Sequence, residues 1–387
     1  MLNQKRIGFL RTDYHSLIYA YCFGESDRYQ FRLAGGQLYI LEYESQPTLP
    51  VCSTTVSGCY NPPNERTRYM EGSGGLPTPV AELSGDALAK YEAVEKRLGV
   101  RLTPEQFGKA FHCPVYTSLE EMADPEKLDA AFIGNCSWYA DDHYELALPF
   151  LKAGIPMFID KPFANNAANA KKIIDAARQY NTPIFSSSIL LYVGANRDLV
   201  KKNLGDPRMV VSTFSSRMEQ RNASVHTISN LLGAVWMLKG DYEVVSMQYI
   251  GNESGKSEDR VKGNGEAYRV LFRDGTIGII NCNDYNHYSF RLDVFGSNGT
   301  STEYVTEPTL RSGIVDISNV FAKMIEDRIP PLHYDRIFEF VATIDAALLS
   351  REQGGREVTI QEIADSVGYE LGVPMECLVK PSPSVLW

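Results

Sequence analysis

Residues 128–189 contain three short apolar runs that alternate with two helical patterns, and this alternation constrains the fold more than any other feature. The runs are residues 128–135, 156–160 and 183–189. Short, largely apolar runs of this kind are typical of strands that are buried on both faces of a parallel sheet. The stretch therefore predicts a β-α-β-α-β unit with right-handed crossovers, which belongs in a doubly wound α/β sheet.

The two helical patterns carry their own start and stop residues. Asp141 or Asp142 can cap the first helix and Gly154 can end it, while Asn165 or Asn166 can cap the second. Apolar residues three and four positions apart predict the buried stripe of each helix. The predicted stripes are Tyr144, Ala147, Leu148 and Leu151 in the first helix, and Ala170, Ile173, Ile174 and Ala177 in the second.

Polar and aromatic residues follow the first two of these strands. Ligands of doubly wound sheets bind beyond the carboxyl ends of the strands, so these residues are candidates for a site. Lys161 comes directly after the second strand, and the proline that follows favours an extended backbone at the lysine. An ammonium group held there can bind a substrate oxygen. The candidate residues are Asn135, Trp138, Tyr139 and His143 after the first strand, and Asp160 and Lys161 after the second.

The run from Asp129 to Pro162, which ends in HYELALPFLKAGIPMFIDKP, resembles the Gfo/Idh/MocA family of nicotinamide-dependent sugar and cyclitol oxidoreductases. That family has Glu-Lys-Pro at this point, after a helix that begins with His, and Asp160 stands here in place of the Glu. The resemblance covers most of residues 128–387 and is poor before them. It implies a Rossmann-like doubly wound sheet followed by a mostly antiparallel open-sheet domain, and a catalytic role for Lys161.

The first predicted strand, residues 6–10, is not followed by the glycine-rich loop of a dinucleotide site. Such a loop lets the backbone approach the pyrophosphate, yet Gly8 is the only glycine here. Either Arg11, Thr12 and Ser16 still hold a phosphate with backbone N–H groups, or cofactor binding is weakened, altered or lost. We predict that NAD or NADP binds. The predicted cofactor-binding residues are Gly8, Arg11, Thr12, Ser16, Asn135, Trp138, His143, Asp160 and Lys161.

Two segments compete for the second strand of this domain. Residues 38–44 have strand composition, but residues 54–60 resemble the family's second strand more closely. In that position the acid that selects NAD is absent, and Arg66 or Arg68 either faces solvent or favours the 2′-phosphate of NADP. Residues 61–110 predict an insertion.

Beyond residue 208 the chain changes to runs in which apolar and polar residues alternate. Arg273-Asp274-Gly275 between two of these runs predicts a hairpin. The expected product is a mostly antiparallel sheet with helices on one face, and one late helical segment covers residues 317–350. The resemblance implies that the other face joins subunits into a homo-oligomer. The predicted strands are residues 209–215, 243–250, 267–272, 276–282 and 290–295.

These patterns predict two domains, which a chain of 387 residues can accommodate. Residues 1–188 form the Rossmann-like nucleotide-binding domain, with the insertion around residues 61–110. Residues 189–387 form an α+β domain for substrate binding and oligomerisation.

Asn222 and His226 resemble the Asp-x-x-x-His motif of the same family, at the start of an apolar helix. Residues four positions apart share a helix face, so Asn222 can orient the imidazole or bind substrate, although it cannot act as a carboxylate. His226 is the candidate base, because a neutral imidazole can accept the proton of a substrate hydroxyl. Lys161 would hydrogen-bond the same hydroxyl. The predicted substrate-binding residues are Tyr139, Tyr192, Asn196, Arg197 and Asn222.

The net charge limits the classes of partner that the protein can bind, and the cysteine content indicates its cellular compartment. Lys and Arg number 38 and Asp and Glu 48, for a net charge of −10, which does not suggest the basic face of a nucleic-acid binder. The 7 cysteines are scattered without a C-x-x-C pair, and no export signal or membrane span is recognisable, so we predict a cytoplasmic protein. The histidines show no metal-ligand spacing, and no metal site is predicted.

The predicted function is that of an NAD(P)-dependent oxidoreductase of carbohydrate metabolism. It would transfer a hydride to or from a hydroxyl carbon of a sugar, glycoside or cyclitol. One alternative is a redox-neutral epimerase or eliminating enzyme with a tightly bound nicotinamide. The other is a cofactor-free sugar-binding or assembly subunit of the same fold, which the missing glycines and Asn222 suggest.

Overall fold

The computed structural model describes residues 5–12, 15–16, 19–20, 29–34, 37–42, 54–60, 104–134, 140–192, 194–214, 216–219, 221–251, 265–282, 290–305 and 307–378. The chain forms two compact units. Unit 1 comprises residues 1–161, 172–186 and 317–330, and unit 2 comprises residues 162–171, 187–316 and 331–387. The predicted domain boundary after residue 188 stays a prediction.

Unit 1 is built on a parallel sheet of six strands. The first eight strands of the chain are Lys5–Phe9 (β1), Tyr29–Ala34 (β2), Gln37–Glu42 (β3), Thr54–Tyr60 (β4), Val115–Tyr116 (β5), Ala130–Ile133 (β6), Met157–Ile159 (β7) and Ile184–Phe185 (β8). The sheet order is β5-β4-β1-β6-β7-β8, and every pairing in it is parallel. β6, β7 and β8 are the three predicted strands of residues 128–189, so the predicted doubly wound unit is confirmed.

The competition for the second strand is settled by pairing. β4 pairs with β1 in parallel, so residues 54–60 supply the neighbouring strand. β3, which overlaps the competing segment 38–44, pairs with β2 in a separate antiparallel hairpin. Residues 61–103 of the predicted insertion, with Arg66 and Arg68, lie outside the described residues.

Among the residues that the structure describes, this part of the chain includes four helices with defined bounds, and the predicted stripe of one of them is partly wrong. They are Pro104–Ala110 (α1), Leu119–Met122 (α2), His143–Lys152 (α3) and Ala167–Gln179 (α4). The predicted stripe of α4 is buried in full. In α3, Leu146 and Phe150 are buried, whereas Tyr144 and Leu148 are only half-buried. Turning Phe150 inward removes more apolar area from water than burial of Leu148 would.

Aromatic side chains fill the core of unit 1. The ring of Phe158 on β7 lies 5.0 Å from that of Phe132, 4.8 Å from that of Phe185 and 5.4 Å from that of Phe321. Tyr19 packs edge-on against Phe158 at 5.2 Å. Phe321 belongs to residues 317–330, so this packing explains why a segment so late in the chain joins unit 1.

Unit 2 contains a mostly antiparallel sheet of seven strands, Pro207–Phe214 (β9), Val244–Tyr249 (β10), Glu266–Phe272 (β11), Ile277–Cys282 (β12), Arg291–Gly296 (β13), Thr300–Tyr304 (β14) and Val358–Thr359 (β15). The order is β14-β13-β9-β12-β11-β10-β15, in which only the β9–β12 pairing is parallel. The predicted hairpin joins β11 to β12, and Gly275 in its turn has a φ of 86°. β14 and β15 were not predicted. β14 buries none of its residues, and β15 is only two residues long, so neither strand leaves an apolar pattern in the sequence.

The remaining helices are Gly194–Val200 (α5), Arg221–Lys239 (α6), Glu307–Asp327 (α7), Tyr334–Glu352 (α8) and Ile360–Val367 (α9). The prediction of one helical segment over residues 317–350 was wrong. α7 ends before the pair Pro330-Pro331 and α8 starts after it, because a proline in a helix interior removes a hydrogen bond and clashes with the preceding turn.

The sheet of unit 2 has one buried and one half-buried face. Burial alternates along β11 and β12, and Gly278 on the buried face leaves room for Leu231 of α6, whose Cδ2 would lie 2.7 Å from a Cβ there. The fold is therefore the predicted α/β plus α+β combination. The half-buried residues of the opposite face include Met209, Val211, Leu271, Ile277 and Ile279.

Glu339 is a buried carboxyl on α8, only 3% exposed. Nη1 of Arg336 donates to Glu339 Oε1 at 2.6 Å, and the same guanidinium donates to both carboxylate oxygens of Asp241. Burial, together with the negative charges of Glu243 and Asp241, raises the pKa of Glu339 to about 8. Arg336 lowers this pKa but does not outweigh the burial. Neutral pH therefore lies within the titration range of this group in the folded protein.

Glu339→Gln is expected to flatten the pH dependence of stability. The ordinary pKa of this carboxyl is 4.5. Its contribution to the free energy of unfolding is therefore fully present below pH 4.5 and is lost as the pH rises through about 8. Above pH 8 the variant should exceed the wild type in free energy of unfolding by on the order of 1–3 kcal/mol, because the amide is never ionised. Urea unfolding at pH 5, 7 and 9 measures the effect, with Glu352→Gln, an exposed position of the same helix, as control. Parallel curves for the wild type and Glu339→Gln would contradict the assignment.

The described ranges lack membrane-spanning helices and metal-ligand clusters. None of their helices is both long enough and apolar enough to cross a membrane. Nor do they contain a group of three or more His, Cys, Asp or Glu side chains that could hold a metal ion.

Candidate functional site

A charged pair lies at the point where the strand order of unit 1 reverses direction. β1 has β4 on one side and β6 on the other, and ligands of such sheets bind in the crevice beyond the carboxyl ends of strands at this switch point. Arg11 follows β1 and is 5% exposed, and its Nη2 donates to Oδ2 of Asp142, directly before α3, at 2.5 Å. The pair thus joins the residues that follow the two central strands.

Asp142 occupies the N-cap position of α3, but its side chain makes no capping hydrogen bond. Among the described residues, its buried Oδ1 has no hydrogen-bond partner. Burial raises the pKa of the Asp142 carboxyl, but Arg11 and His143 outweigh burial, and the pKa lies below its ordinary value. Asp142 is therefore an ionised acceptor with one oxygen unused.

A second pair joins the helical turn after β1 to the end of β7. Nδ1 of His15 contacts Oδ2 of Asp160, and both side chains are buried. A carboxylate only accepts, so the imidazole donates in this contact. The pair holds Asp160, the residue before Lys161, against the segment that replaces the glycine-rich loop.

Gly8 has a packing role inside β1. A Cβ at this position would lie 2.5 Å from Leu128 Cδ1 and 2.6 Å from Met122 Cε. Close packing of Leu128 and Met122 against β1 is therefore sufficient to explain a glycine at this position. The predicted role of Gly8 in cofactor binding stays a prediction.

The other predicted cofactor residues of unit 1 lie at the same sheet edge or outside the described residues. Lys161 follows β7 directly and is 4% exposed, Ser16 and His143 are also buried, and Thr12 is half-buried. Asn135, Trp138 and Tyr139 lie outside the described residues. The sheet thus gathers Arg11, Thr12, Ser16, His143, Asp160 and Lys161 beyond the ends of β1, β6 and β7.

His226 lies on α6 of unit 2 beside two aromatic rings. Phe214 and Phe290 stack face to face with 4.3 Å between centroids, and the imidazole stands edge-on to both, at 5.8 and 5.6 Å. The histidine is half-buried. Its ring is thus held against a rigid apolar surface while keeping some exposure to solvent.

Of the predicted substrate residues, Tyr192 and Asn196 are buried in the packing around α6. Nδ2 of Asn196 donates to the carbonyl of Leu190 at 2.9 Å, and the ring of Tyr192 stands edge-on to Trp236 at 5.5 Å. Their predicted roles in substrate binding stay predictions. Arg197 lies on α5 and Asn222 on α6, and their side chains lie outside the described residues.

The sequence prediction missed two features of the site, namely the ion pair of Asp142 with Arg11 and the contact of His15 with Asp160. The sequence predicts Asp142 as a helix cap alone, and it predicts no role for His15. A signal for both was present. Arg11 and His15 follow the first strand, and Asp142 and Asp160 follow the next two strands of the sheet, so opposite charges meet at one edge.

The sequence profile of the GFO_IDH_MocA family, described as an oxidoreductase family with an NAD-binding Rossmann fold, matches residues 100–187. The predicted resemblance to the Gfo/Idh/MocA oxidoreductases is confirmed. The matched segment contains β6, β7, α3 and Lys161. A search of curated proteins finds no match to the chain.

Solved structures extend the similarity to nearly the whole chain. Myo-inositol dehydrogenase from Lactobacillus casei, in complex with NAD(H) and myo-inositol, has a TM-score of 0.60 at 14% identity, over 96% of this chain and 98% of that one. Scyllo-inositol dehydrogenase from Lactobacillus casei, with NAD(H) and scyllo-inositol, has a TM-score of 0.58 at 13% identity, over 93% and 100%. GenD2 from gentamicin A biosynthesis, in complex with NAD, has a TM-score of 0.59 at 15% identity, over 93% and 97%. The chain therefore has the fold of the Gfo/Idh/MocA oxidoreductases.

The switch-point residues fit a dinucleotide of the kind that this NAD-binding Rossmann family takes. The unused Oδ1 of Asp142 is an acceptor for a ribose hydroxyl, a group that carboxylates commonly hold in Rossmann sites. Arg11 brings a cation to the place where the family's glycines approach the pyrophosphate. The charged side chain of Arg11 can thus bind the pyrophosphate in place of the backbone N–H groups of a glycine-rich loop.

Proposed function

We propose that this protein is an NAD- or NADP-dependent oxidoreductase that acts on a hydroxyl carbon of a sugar, glycoside or cyclitol. The observation that carries the proposal is the buried Lys161 at the carboxyl end of β7, beside the switch point of a Gfo/Idh/MocA Rossmann fold. The polyol class is supported by solved structures of the same fold that are described as inositol dehydrogenases.

In the proposed reaction, two side chains of this chain handle the substrate hydroxyl. Lys161 Nζ donates a hydrogen bond to the hydroxyl oxygen and stabilises the negative charge that develops there, an effect that grows where water is excluded. The imidazole of His226 accepts the hydroxyl proton. The nicotinamide, when bound, supplies the hydride acceptor. The aromatic pair Phe214 and Phe290 packs against the imidazole on one side.

The residues that would hold the cofactor are Arg11, toward a phosphate, and Asp142, toward a ribose hydroxyl. His15 would keep Asp160 and the following Lys161 in place through the imidazole–carboxylate contact. Thr12, Ser16 and His143 remain further candidates for this site at the same edge.

Arg11→Met is expected to weaken NADH binding by about 10- to 100-fold, because a charge-assisted hydrogen bond to a phosphate is worth about 1.5–3 kcal/mol. Loss of the guanidinium also leaves the Asp142 carboxylate without its partner. Calorimetric titration with NAD, NADH, NADP and NADPH measures this. Arg6→Met serves as the matched control, because Arg6 lies on β1, the strand that Arg11 follows, and pairs with Asp129.

The double variant Arg11→Met, Asp142→Leu separates two roles of Arg11. If Arg11 binds the phosphate, the double variant should bind no more tightly than the single one, because it also lacks the Asp142 acceptor proposed for the ribose hydroxyl. Restored affinity in the double variant would show that Arg11 merely neutralises Asp142. If the wild type binds none of the four nucleotides, the proposal is overturned in favour of the cofactor-free sugar-binding subunit. Nucleotide that copurifies and stays bound through turnover would favour the redox-neutral enzyme.

We further propose a homo-oligomer that uses the half-buried face of the unit 2 sheet. This face carries Met209, Val211, Ile277 and Ile279 in adjacent register, since Met209 pairs with Ile277 and Val211 with Ile279. Contiguous apolar side chains on a sheet face are typical of subunit contacts. The cysteine pattern supports the cytoplasm as the proposed compartment.

A further inference from the structure

Asp345 on α8 joins the starts of two other helices, and both of these starts lie in unit 2. Its Oδ2 accepts a hydrogen bond from the backbone N–H of Ala167 at 2.7 Å, at the first residue of α4. Its Oδ1 accepts from Nη2 of Arg221, the first residue of α6. Arg221 and Asp345 side chains are both largely buried. One carboxylate therefore uses both oxygens to hold two helix starts to a third helix.

The same helix also holds the turn that precedes α6. Nη1 of Arg351, six residues after Asp345, contacts Glu219 at 2.8 Å and Glu266 at 2.7 Å. Glu266 in turn accepts from the backbone N–H of Met218 at 3.3 Å. The start of α6 is thus fixed to α8 at its first residue and at the turn that precedes it.

The two helix starts continue from the segments that carry the proposed catalytic residues. Ala167 follows Lys161 by six residues, and Arg221 precedes His226 by five. We propose that Asp345 is a positioning residue for the reaction, one that sets the backbone of both segments through a single carboxylate. This inference rests on the proposed function for its catalytic consequence, and on the contacts of Asp345 alone for its mechanical part.

Small displacements of catalytic groups have large effects on rate, up to about 100-fold for 1 Å. Removal of the Asp345 charge should therefore act on kcat more than on nucleotide affinity. Asp345 and Arg221 also line a pocket of about 370 Å³ with Asn166, Leu348 and Glu352. Water can enter such a pocket and replace lost hydrogen bonds, so a variant at Asp345 is expected to fold.

The test compares Asp345→Asn, Asp345→Glu and the control Glu352→Gln, an exposed residue of the same helix that lines the same pocket. Asp345→Asn keeps one acceptor oxygen and loses the charge, and it should lower kcat by about 10- to 100-fold with KM for the nucleotide nearly unchanged. Asp345→Glu should recover part of kcat. Glu352→Gln should match the wild type in both constants.

Hydrogen exchange on the same purified variants separates failure of this inference from failure of the proposed function. Asp345→Asn should exchange faster in residues 162–170 and 221–226, and not elsewhere, even if no dehydrogenase activity is found. Unchanged exchange in both segments, or faster exchange throughout the chain, would overturn the positioning role. Wild-type kcat in Asp345→Asn would overturn its catalytic part. If the variant does not fold, Arg221→Gln tests the same contact from the other side.

Discussion

Lys161→Met is expected to lower kcat by about 100- to 1,000-fold, while NADH affinity and the free energy of unfolding stay close to those of the wild type. Loss of one preorganised donor to a developing oxyanion has costs of this size, because the donor acts more strongly on the transition state than on the bound substrate. Lys161 is buried, and methionine fills a similar volume without a charge that needs a partner. The substitution thus removes the ammonium and keeps the packing.

The measurement is steady-state oxidation of a panel of sugars and cyclitols, with nucleotide affinity determined separately by calorimetry. Lys152→Met is the matched control, because Lys152 is an exposed lysine at the end of α3. A wild-type rate in Lys161→Met would show that the lysine serves the packing of the strand end alone. A loss of NADH affinity equal to the loss of kcat would place the ammonium on the cofactor, not on the substrate hydroxyl.

The sheet of unit 1 was predictable because its central strands are buried on both faces. Nearly continuous apolar runs separated by helices have few other solutions, and β6, β7 and β8 lie where residues 128–189 predict them. β14 was not predictable in this way. Its five residues are exposed or half-buried, and its pairing with β13 leaves no mark in the apolar pattern.

Helix faces and helix ends were predicted less well than strands. The stripe of α3 was set by spacing alone, which ignores the larger apolar area of Phe150. The break between α7 and α8 had a clear signal in Pro330-Pro331, which the continuous apolar pattern on either side obscured. Local residue chemistry here outweighs periodicity.

The candidate site was predictable where one segment carries it, and not where it depends on partners distant in sequence. Lys161 follows a recognisable strand and precedes a proline, so its place at the sheet edge could be inferred. The Arg11–Asp142 pair spans 131 positions and the His15–Asp160 pair spans 145. Such pairs become predictable only when strand order is known, because order decides which strand ends are neighbours.

His226→Gln is expected to lower kcat/KM by about 100- to 10,000-fold, the range found when a general base is removed. Glutamine can still hydrogen-bond a substrate hydroxyl, but it cannot take up a proton near neutral pH. An imidazole base works only when it is neutral, so the wild-type kcat/KM should rise with pH as the imidazole loses its proton. The variant should lack this rise.

The pH profile of kcat/KM separates catalysis by His226 from a purely structural role against Phe214 and Phe290. A structural histidine would lower activity at every pH by the same factor and leave the shape of the profile intact. His112→Gln provides the matched control, since His112 is an exposed histidine of the chain. Asn222 stands one helical turn before His226 and carries no charge, so the imidazole acts here without an ionised partner at that position. A profile in Asn222→Asp that rises at higher pH than in the wild type would support this, since a carboxylate one helical turn away favours the protonated imidazole.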